Sequence, residues 1–268
     1  MAHYSRKPPA HHGLSRRQLL RIGGMTALGG SIACLGSILG YLALDELTDA
    51  RRPTPSPPPA RPTHLKLIDR PPITPRTEWG ARAPDHEARN ETGFYQDGQA
   101  EGWLEYEGDL RAIYRTVVVH HSVIYEIDDP TTMRAIQDEH MDERGWADIG
   151  YHFGVGKNGQ VFEGRALNAR GTHVEGYNSG SVGVVFFGNF EEESPEPGQL
   201  TAGLRLINWL ALRLELTHLA GHGDFNDFTR CPGRNMAAYM PLLAESALLS
   251  LGTDGYRPLP TASPTPES

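Results

Sequence analysis

The chain has 268 residues, with 33 acidic and 25 basic side chains and a formal net charge of −8. This length suffices for one domain with a sizeable buried core, and the acidic balance argues against nucleic acid as a partner. Of the two cysteines, Cys34 lies in an apolar run and Cys231 in a polar loop, so no disulfide framework is expected.

The first 44 residues have the pattern of a twin-arginine export signal. Arg16 and Arg17 come just before an uncharged run at residues 22–44, and such a pair is expected to stay inside while the later residues are exported. The run is about as long as the ~20 residues that span a bilayer, so a cleaved signal and a retained anchor both stay open. We therefore expect a protein of the cell envelope or the extracellular space, a monomer whose only membrane contact is this segment.

Proline-rich segments flank the predicted domain. Residues 45–72 contain a run of prolines that is typical of an extended spacer. Residues 253–268, rich in Pro, Thr and Ser, are expected to form a disordered tail. The globular domain is predicted at residues 73–252.

Strands and helices are mixed along this domain. Apolar and β-branched runs predict buried strands at residues 116–122, 151–156, 161–165 and 181–187. Asn158 and Gly159 predict a hairpin between the second and third of these strands. Helices are expected at 130–144, at 199–216 and at about 235–251, where Pro241 kinks or restarts the helix. The pattern predicts a single α/β domain in which helices flank a central mixed β-sheet.

His222 and Cys231 lie in one Gly-, Asp- and Asn-rich loop near the end of the domain. Three ligands drawn from His and Cys, with a fourth position left to water, are typical of a catalytic zinc. The third ligand should come from the carboxyl end of a strand, where His120 and His121 follow a β-branched run. Since consecutive strand residues point to opposite faces, only one of the two is expected to bind the metal.

Several ordered motifs run through the domain. They are Arg76-x-x-Trp79-Gly80-Ala81, Val119-His120-His121-Ser122, Ile136-Gln137-x-x-His140-Met141, Gly145-Trp146-x-Asp148-Ile149-Gly150-Tyr151-His152-Phe153, Glu163-Gly164-Arg165, Gly176-Tyr177-Asn178 with Ser181-Val182-Gly183, Gly188-Asn189-Phe190, and Gly221-His222 with Cys231-Pro232-Gly233. From Arg76 to about Met236 the chain thereby resembles the zinc-dependent N-acetylmuramoyl-L-alanine amidases of type 2, which share a fold with peptidoglycan recognition proteins and phage amidase lysozymes. The spread of the motifs over the whole domain makes the resemblance specific.

The resemblance implies a Zn²⁺ hydrolase that cuts the amide between N-acetylmuramic acid and L-alanine, with peptidoglycan or a muropeptide as its partner. It implies His120, His222 and Cys231 as zinc ligands and Tyr151 as a catalytic residue. The second catalytic position falls on Thr229, where phage enzymes have lysine and many recognition-protein amidases have threonine. The cysteine pair of the animal recognition proteins is absent, which favours a bacterial enzyme.

The ligand types indicate the chemistry. A thiolate and two neutral imidazoles leave zinc an open position, at which the pKa of water falls toward ~7. Tyr151, with an ordinary pKa of about 10, is a poor base. We therefore expect it to orient the water and, with Thr229, to donate to the tetrahedral oxyanion.

Four further residues are candidates for substrate contacts. Arg165 can grip a carboxylate of the stem peptide or form a surface ion pair. His173 reaches the cleft or remains a solvated loop residue. Tyr177 and Asn178 line the substrate groove or build the turn.

Three alternatives to a peptidoglycan amidase remain at the level of sequence. The first is a recognition module of the same fold that binds peptidoglycan without cutting it, although such a module would be marked by loss of the cysteine ligand. The second is a zinc hydrolase of another amide, such as an anhydro-muropeptide. The third is a purely structural zinc, which needs a fourth protein ligand and has His218 or Asp224 close in sequence.

Overall fold

The computed structural model describes residues 69–88 and 102–258. The predicted export signal, most of the proline-rich spacer and residues 259–268 of the predicted tail lie outside these ranges. Within them, no helix has both the length and the apolar character that crossing a membrane requires.

Six strands of the described residues form one mixed sheet, which confirms the predicted fold class. The strands are β1 (Thr116–His121), β2 (Phe153–Val155), β3 (Val161–Glu163), β4 (Ser181–Phe186), β5 (His218–Gly221) and β6 (Ser250–Leu251). Their order across the sheet is β3-β2-β4-β1-β5-β6. The hairpin of β2 and β3 is antiparallel, and all other neighbours are parallel. The central strand β1 therefore ends at the same edge of the sheet as β4 and β5.

Helices connect and cover the strands. They are α1 (Arg76–Trp79), α2 (Leu110–Ile113), α3 (Asp129–Asp138) with a π-helical turn at Glu139–Glu143, α4 (Pro197–Leu214), α5 (His222–Phe225), α6 (Arg234–Ala237) and α7 (Met240–Ser246). The start of α3 is fixed because the side chain of Asp128 accepts a hydrogen bond from the backbone N–H of Thr131, and Pro130 occupies the first turn.

The core lies on both faces of the sheet. Val117 and Val119 of β1 pack with Leu206 and Leu210 of α4 in one buried cluster. A second cluster on the other face joins the sheet to α1 and α3. Because side chains alternate along a strand, His120 lies on the face opposite Val119, beside the second cluster. The alternation thus turns His120 away from α4.

Two predicted helices differ from the observed ones. The predicted helix at 130–144 is an α-helix only to Asp138 and continues as the π-helical turn. The predicted helix at 235–251 is divided into α6 and α7, with Pro241 in the first turn of α7. Ser250 and Leu251 then form β6, because the backbone there bonds to the edge of β5 instead of continuing the helix.

The packed part of the chain extends beyond the predicted range of 73–252. Pro71 is buried, and the guanidinium of Arg70 lies 5.9 Å from the ring centre of Trp209. At the other end, Tyr256 contacts the aromatic rings of Tyr177 and Phe225. Residues on both sides of the predicted boundaries therefore pack against the domain.

Candidate metal centre

The parallel pairing of β1 and β5 brings two histidines together. Val119 is the register partner of Gly221, so the residues that follow them, His120 and His222, lie side by side at the carboxyl ends of their strands. Their ring centres are 4.8 Å apart. His120 is completely buried.

Cys231 completes the cluster because the loop after β5 folds back on itself. The backbone N–H of Gly223 donates to the carbonyl of Cys231 at 2.7 Å, which closes the loop. The sulfur of Cys231 accepts from the backbone N–H of His121 at 3.4 Å and lies 3.6 Å from Nδ1 of His120. One ligand atom each from His120, His222 and Cys231 can be chosen so that all three lie within 4.8 Å of one another.

The donor set fits a zinc ion. Nε2 of His222 is buried and has no hydrogen-bond partner among the residues that the structure describes, which is costly for a polar atom unless a ligand satisfies it. Burial lowers the pKa of His222 to about 4, so its imidazole is neutral, as a ligand must be. Burial also raises the pKa of the Cys231 thiol to about 12, so without a metal this thiol keeps its proton. Metal binding therefore has to release that proton.

The four-ligand alternative is not favoured by the geometry. Among the residues that the structure describes, this cluster has three members. The carboxylate of Asp224 accepts from the backbone N–H of Gly221 at 2.8 Å, and Nδ1 of His218 lies 2.9 Å from the hydroxyl of Thr217. Three protein ligands leave a position open, as in catalytic zinc sites.

His121, which the strand argument left open as a ligand, is bound elsewhere. Its Nδ1 accepts from the backbone N–H of Phe190 at 3.2 Å. Its own backbone N–H donates a hydrogen bond to the sulfur of Cys231. Of the two consecutive histidines, His120 therefore has the side chain that belongs to the cluster.

His173 lies directly behind His120. Its Nδ1 is 3.0 Å from Nε2 of His120, and its Nε2 is 3.4 Å from the carbonyl of Ser181. Burial lowers the pKa of His173 well below its ordinary value, so the ring is neutral. When Nδ1 of His120 is a metal ligand, its Nε2–H can donate to His173, which in turn donates to Ser181. This chain of hydrogen bonds fixes the orientation of His120.

A cleft of about 500 Å³ opens above the cluster. His222 and Cys231 reach it from the loop at residues 222–231, here called the metal loop, and the predicted catalytic residues Tyr151 and Thr229 both line it. The ring centre of Tyr151 is 5.0 Å from that of His120. The hydroxyl of Thr229 accepts from the backbone N–H of Cys231 at 3.2 Å, which leaves its own proton able to donate. The structure thus brings both predicted catalytic residues to the cluster.

His140 is a residue of the site that was not predicted from the sequence. It lies in the π-helical turn and lines the cleft, with its ring 5.4 Å from that of Tyr151. Its Nδ1 accepts from the backbone N–H of Gly150 at 2.9 Å, so the proton of the neutral ring is on Nε2. The sequence contains an indication of this role, because His140 belongs to one of the motifs on which the family resemblance rests. The same motif is also compatible with one face of an amphipathic helix.

Three of the four predicted substrate contacts lie elsewhere. The guanidinium of Arg165 is buried, where it donates to the carbonyls of Ile149 and Arg170 among others. The buried side-chain oxygen of Asn178 accepts from the backbone N–H groups of His173 and Val174, and so builds the turn.

The third, Tyr177, packs against the rings of Phe225 and Tyr256 and is not among the residues that line the cleft. His173 does line the cleft. Of these four residues, all within the described part of the chain, it alone lines the cleft, and its two ring nitrogens lie near His120 and Ser181.

Comparison with known proteins identifies relatives of this domain. A family profile described as N-acetylmuramoyl-L-alanine amidase matches residues 110–234, which include the three cluster residues. Peptidoglycan-recognition protein LB of Drosophila melanogaster is 39% identical over 130 residues, or 46% of this chain and 56% of that protein. The chain thus spans little more than half the length of this curated relative.

Two solved structures are similar to the chain over nearly their whole length. Wild-type Drosophila PGRP-LB is 30% identical, with a TM-score of 0.53 over 68% of this chain and 98% of that one. Peptidoglycan recognition protein-LE is 27% identical, with a TM-score of 0.51 over 62% of this chain and 92% of that one. The latter was solved in complex with tracheal cytotoxin, a monomeric diaminopimelic acid-type peptidoglycan.

Proposed function

Because the chain belongs to the family of type 2 N-acetylmuramoyl-L-alanine amidases and peptidoglycan recognition proteins, we propose that it is a zinc-dependent peptidoglycan hydrolase. Its substrate bond is the amide between N-acetylmuramic acid and the L-alanine of the stem peptide. The family includes members that bind peptidoglycan and members that cut it. One observation carries the choice of a hydrolase: Cys231 completes a buried cluster with His120 and His222 directly beneath a cleft that holds Tyr151.

The metal would be held by Nδ1 of His120, Nε2 of His222 and the sulfur of Cys231. When bound, zinc supplies a Lewis acid that acidifies a water molecule and polarises the amide carbonyl. His173 keeps the first of these ligands in place through its contact with Nε2 of His120. The neighbouring residues of the chain then position the substrate and the water.

Tyr151 acts as a hydrogen-bond donor in this account. Burial raises the pKa of its hydroxyl above the ordinary value, so the phenol keeps its proton at neutral pH and cannot serve as a base. A donor aimed at the carbonyl oxygen stabilises the charge that develops there when water attacks the amide carbon. The hydroxyl of Thr229 is a second donor at the same cleft.

The reaction balances with water alone. Its oxygen forms the new bond to the lactyl carbonyl carbon, and its protons pass to the amine of L-alanine as the C–N bond breaks. The products are a muramyl carboxylate and a stem peptide with a free amino end. Peptidoglycan as the ligand is supported by the complex of the related recognition protein with a peptidoglycan fragment.

Substitution of the cysteine ligand tests the proposal. Cys231→Ser is expected to lose both stoichiometric zinc and amide cleavage, because a serine hydroxyl is not a thiolate donor. Metal content by mass spectrometry and turnover of a muramyl peptide are measured together.

Asp224→Asn is the matched control in the same loop and should keep both, since an amide oxygen can still accept from Gly221. Zinc and turnover that survive in Cys231→Ser would overturn the assignment of this ligand. Loss of zinc in Asp224→Asn would instead indicate a four-ligand structural site.

A further inference from the structure

The segment at residues 253–257, here called the C-terminal latch, follows β6 and lies beyond the region that matches the family profile. The backbone N–H of Gly252 donates to the carbonyl of Leu219 at 2.9 Å, which anchors the start of the segment on β5. The backbone N–H of Tyr256 donates to the carbonyl of Thr253 at 2.9 Å and closes a turn. The latch therefore has a defined path over the domain.

Gly255 holds this path close to the sheet. A Cβ atom at this position would lie 2.0 Å from Nδ1 of His218, so only glycine allows the backbone to approach so closely. Gly255 itself is buried. The next residue, Tyr256, contacts the rings of Tyr177 and Phe225.

The ring of Tyr256 lies between two loops of the site. It meets Tyr177 edge-on at 5.2 Å and Phe225 edge-on at 5.8 Å, and these two rings are 4.9 Å from each other. Edge-to-face pairs at such distances are favourable beyond the area they bury. The three rings join the latch, the loop of Tyr177 and the short helix α5 into one cluster.

Both partner rings are connected to the proposed metal centre. Phe225 ends the four-residue helix α5, which begins at the ligand His222. Tyr177 lies four positions after His173, whose ring contacts the ligand His120. The side chain of Asn226 also donates to the carbonyl of Glu175 at 3.4 Å and so ties the two loops together.

The metal loop has little burial of its own. Between residues 222 and 230 every residue is exposed or half-buried, and full burial begins at Cys231. A ring that packs on Phe225 therefore restrains a loop that the core does not hold. Among the described residues the buried hydroxyl of Tyr256 has no hydrogen-bond partner, so an exchange for phenylalanine breaks no hydrogen bond among them and keeps the ring contacts.

We propose that Tyr256 is a positioning residue for the metal centre: the C-terminal latch holds α5, and with it His222, in the geometry that binds zinc. The inference rests on the proposed function, because it concerns the same three ligands. It adds a determinant from a segment outside the matched region of the family. Restraint of a ligand by its surroundings is worth 10–100-fold in metal affinity in other sites.

The test compares dissociation constants for zinc, measured on the full chain by competition with a chromophoric chelator. Tyr256→Ala is expected to weaken zinc binding about tenfold or more, whereas Tyr256→Phe keeps the ring and should bind zinc like the wild type. Tyr239→Ala is a matched control, because Tyr239 is a half-buried aromatic residue that packs on the core around α7. It should lower the melting temperature without changing zinc affinity.

Gly255→Ala keeps Tyr256 intact but displaces the latch, so it should weaken zinc binding in the same direction even if Tyr256→Ala fails to fold. Wild-type affinity in a folded Tyr256→Ala or Gly255→Ala variant would overturn the latch. Equal losses in Tyr256→Phe and Tyr256→Ala would overturn the role of the ring. A wild-type chain that binds no zinc would instead overturn the proposed function, which separates the two failures.

Discussion

Tyr151 lines the cleft at the candidate metal centre, and its ring centre lies 5.0 Å from that of His120 and 5.4 Å from that of His140. Tyr151→Phe keeps this packing and removes the donor. We expect zinc affinity to stay within about twofold of wild type and turnover to fall by on the order of 10²–10³, the usual cost of one lost donor to an oxyanion. Metal titration and steady-state rates on a muramyl peptide measure the two effects.

Tyr125→Phe serves as the control for loss of a phenol elsewhere. The Tyr125 ring lies 4.6 Å from the ammonium of Lys157 and is not part of the cleft lining. Its substitution should leave turnover unchanged. Full activity in Tyr151→Phe would remove Tyr151 from the mechanism.

The sequence identified the three cluster residues in two different ways. Cys231 and His222 stand out because a thiol and an imidazole share one polar loop. His120 and Cys231 are 111 positions apart, and the strand argument alone could not choose between His120 and His121. The choice depends on the backbone N–H of Phe190, which binds His121, and no local pattern indicates such a long-range contact.

Arg165 and His173 show what residue types cannot reveal. An arginine at a strand end is compatible with substrate binding, but here backbone carbonyls surround it. His173 was predicted either to reach the cleft or to be a solvated loop residue. It lines the cleft and also contacts His120. In both cases the partners are backbone or side-chain atoms from distant segments, whose positions the fold determines.

Strand β4 leaves space for His173 at Gly183. Gly183 lies on the face of the sheet toward the cluster, and a Cβ atom there would lie 2.7 Å from two ring carbons of His173. Gly183→Ala is therefore expected to displace His173 and to weaken zinc binding about tenfold, because His120 loses its orienting partner. Chelator competition measures this loss.

Gly198→Ala in α4 is the control for this exchange, since among the described residues no atom beyond its own helical turn lies within 4 Å of the added Cβ. It should bind zinc like the wild type. If His173 is the cause, Gly183→Ala should cost little more when it is combined with His173→Ala than His173→Ala costs alone. Additive losses, or unchanged affinity in Gly183→Ala, would contradict the orienting role.

At the scale of elements, strong periodic or β-branched runs predicted most of the fold. Strand β1 and helix α4 lie within two residues of their predicted bounds. The two residues of the edge strand β6 were predicted to be helical, because so short a segment shows no hydrophobic periodicity of its own. They form a strand because their backbone pairs with β5. The π-helical turn after α3 likewise depends on tertiary contacts, among them the bond from Gly150 to His140.

At the scale of the molecule, the candidate metal site lies at the carboxyl edge of the parallel strands, where the ends of β1 and β5 bring His120 and His222 together. The C-terminal latch packs near the amino end of β5, at His218, and reaches the site through the rings of Tyr177 and Phe225. The predicted mixed α/β domain already implied such an edge. The sequence did not reveal that residues past the predicted domain end, Tyr256 above all, pack against the loops next to this site.

We propose that the site at this edge of the sheet hydrolyses the amide between N-acetylmuramic acid and L-alanine. The most direct measurement is mass spectrometry of peptidoglycan and of a defined muropeptide after incubation with the full chain and zinc. We expect stem peptides that begin with a free L-alanine amine, intact glycan chains, and no reaction after the metal is removed. New reducing sugar ends, or binding without any cleavage, would contradict the amidase.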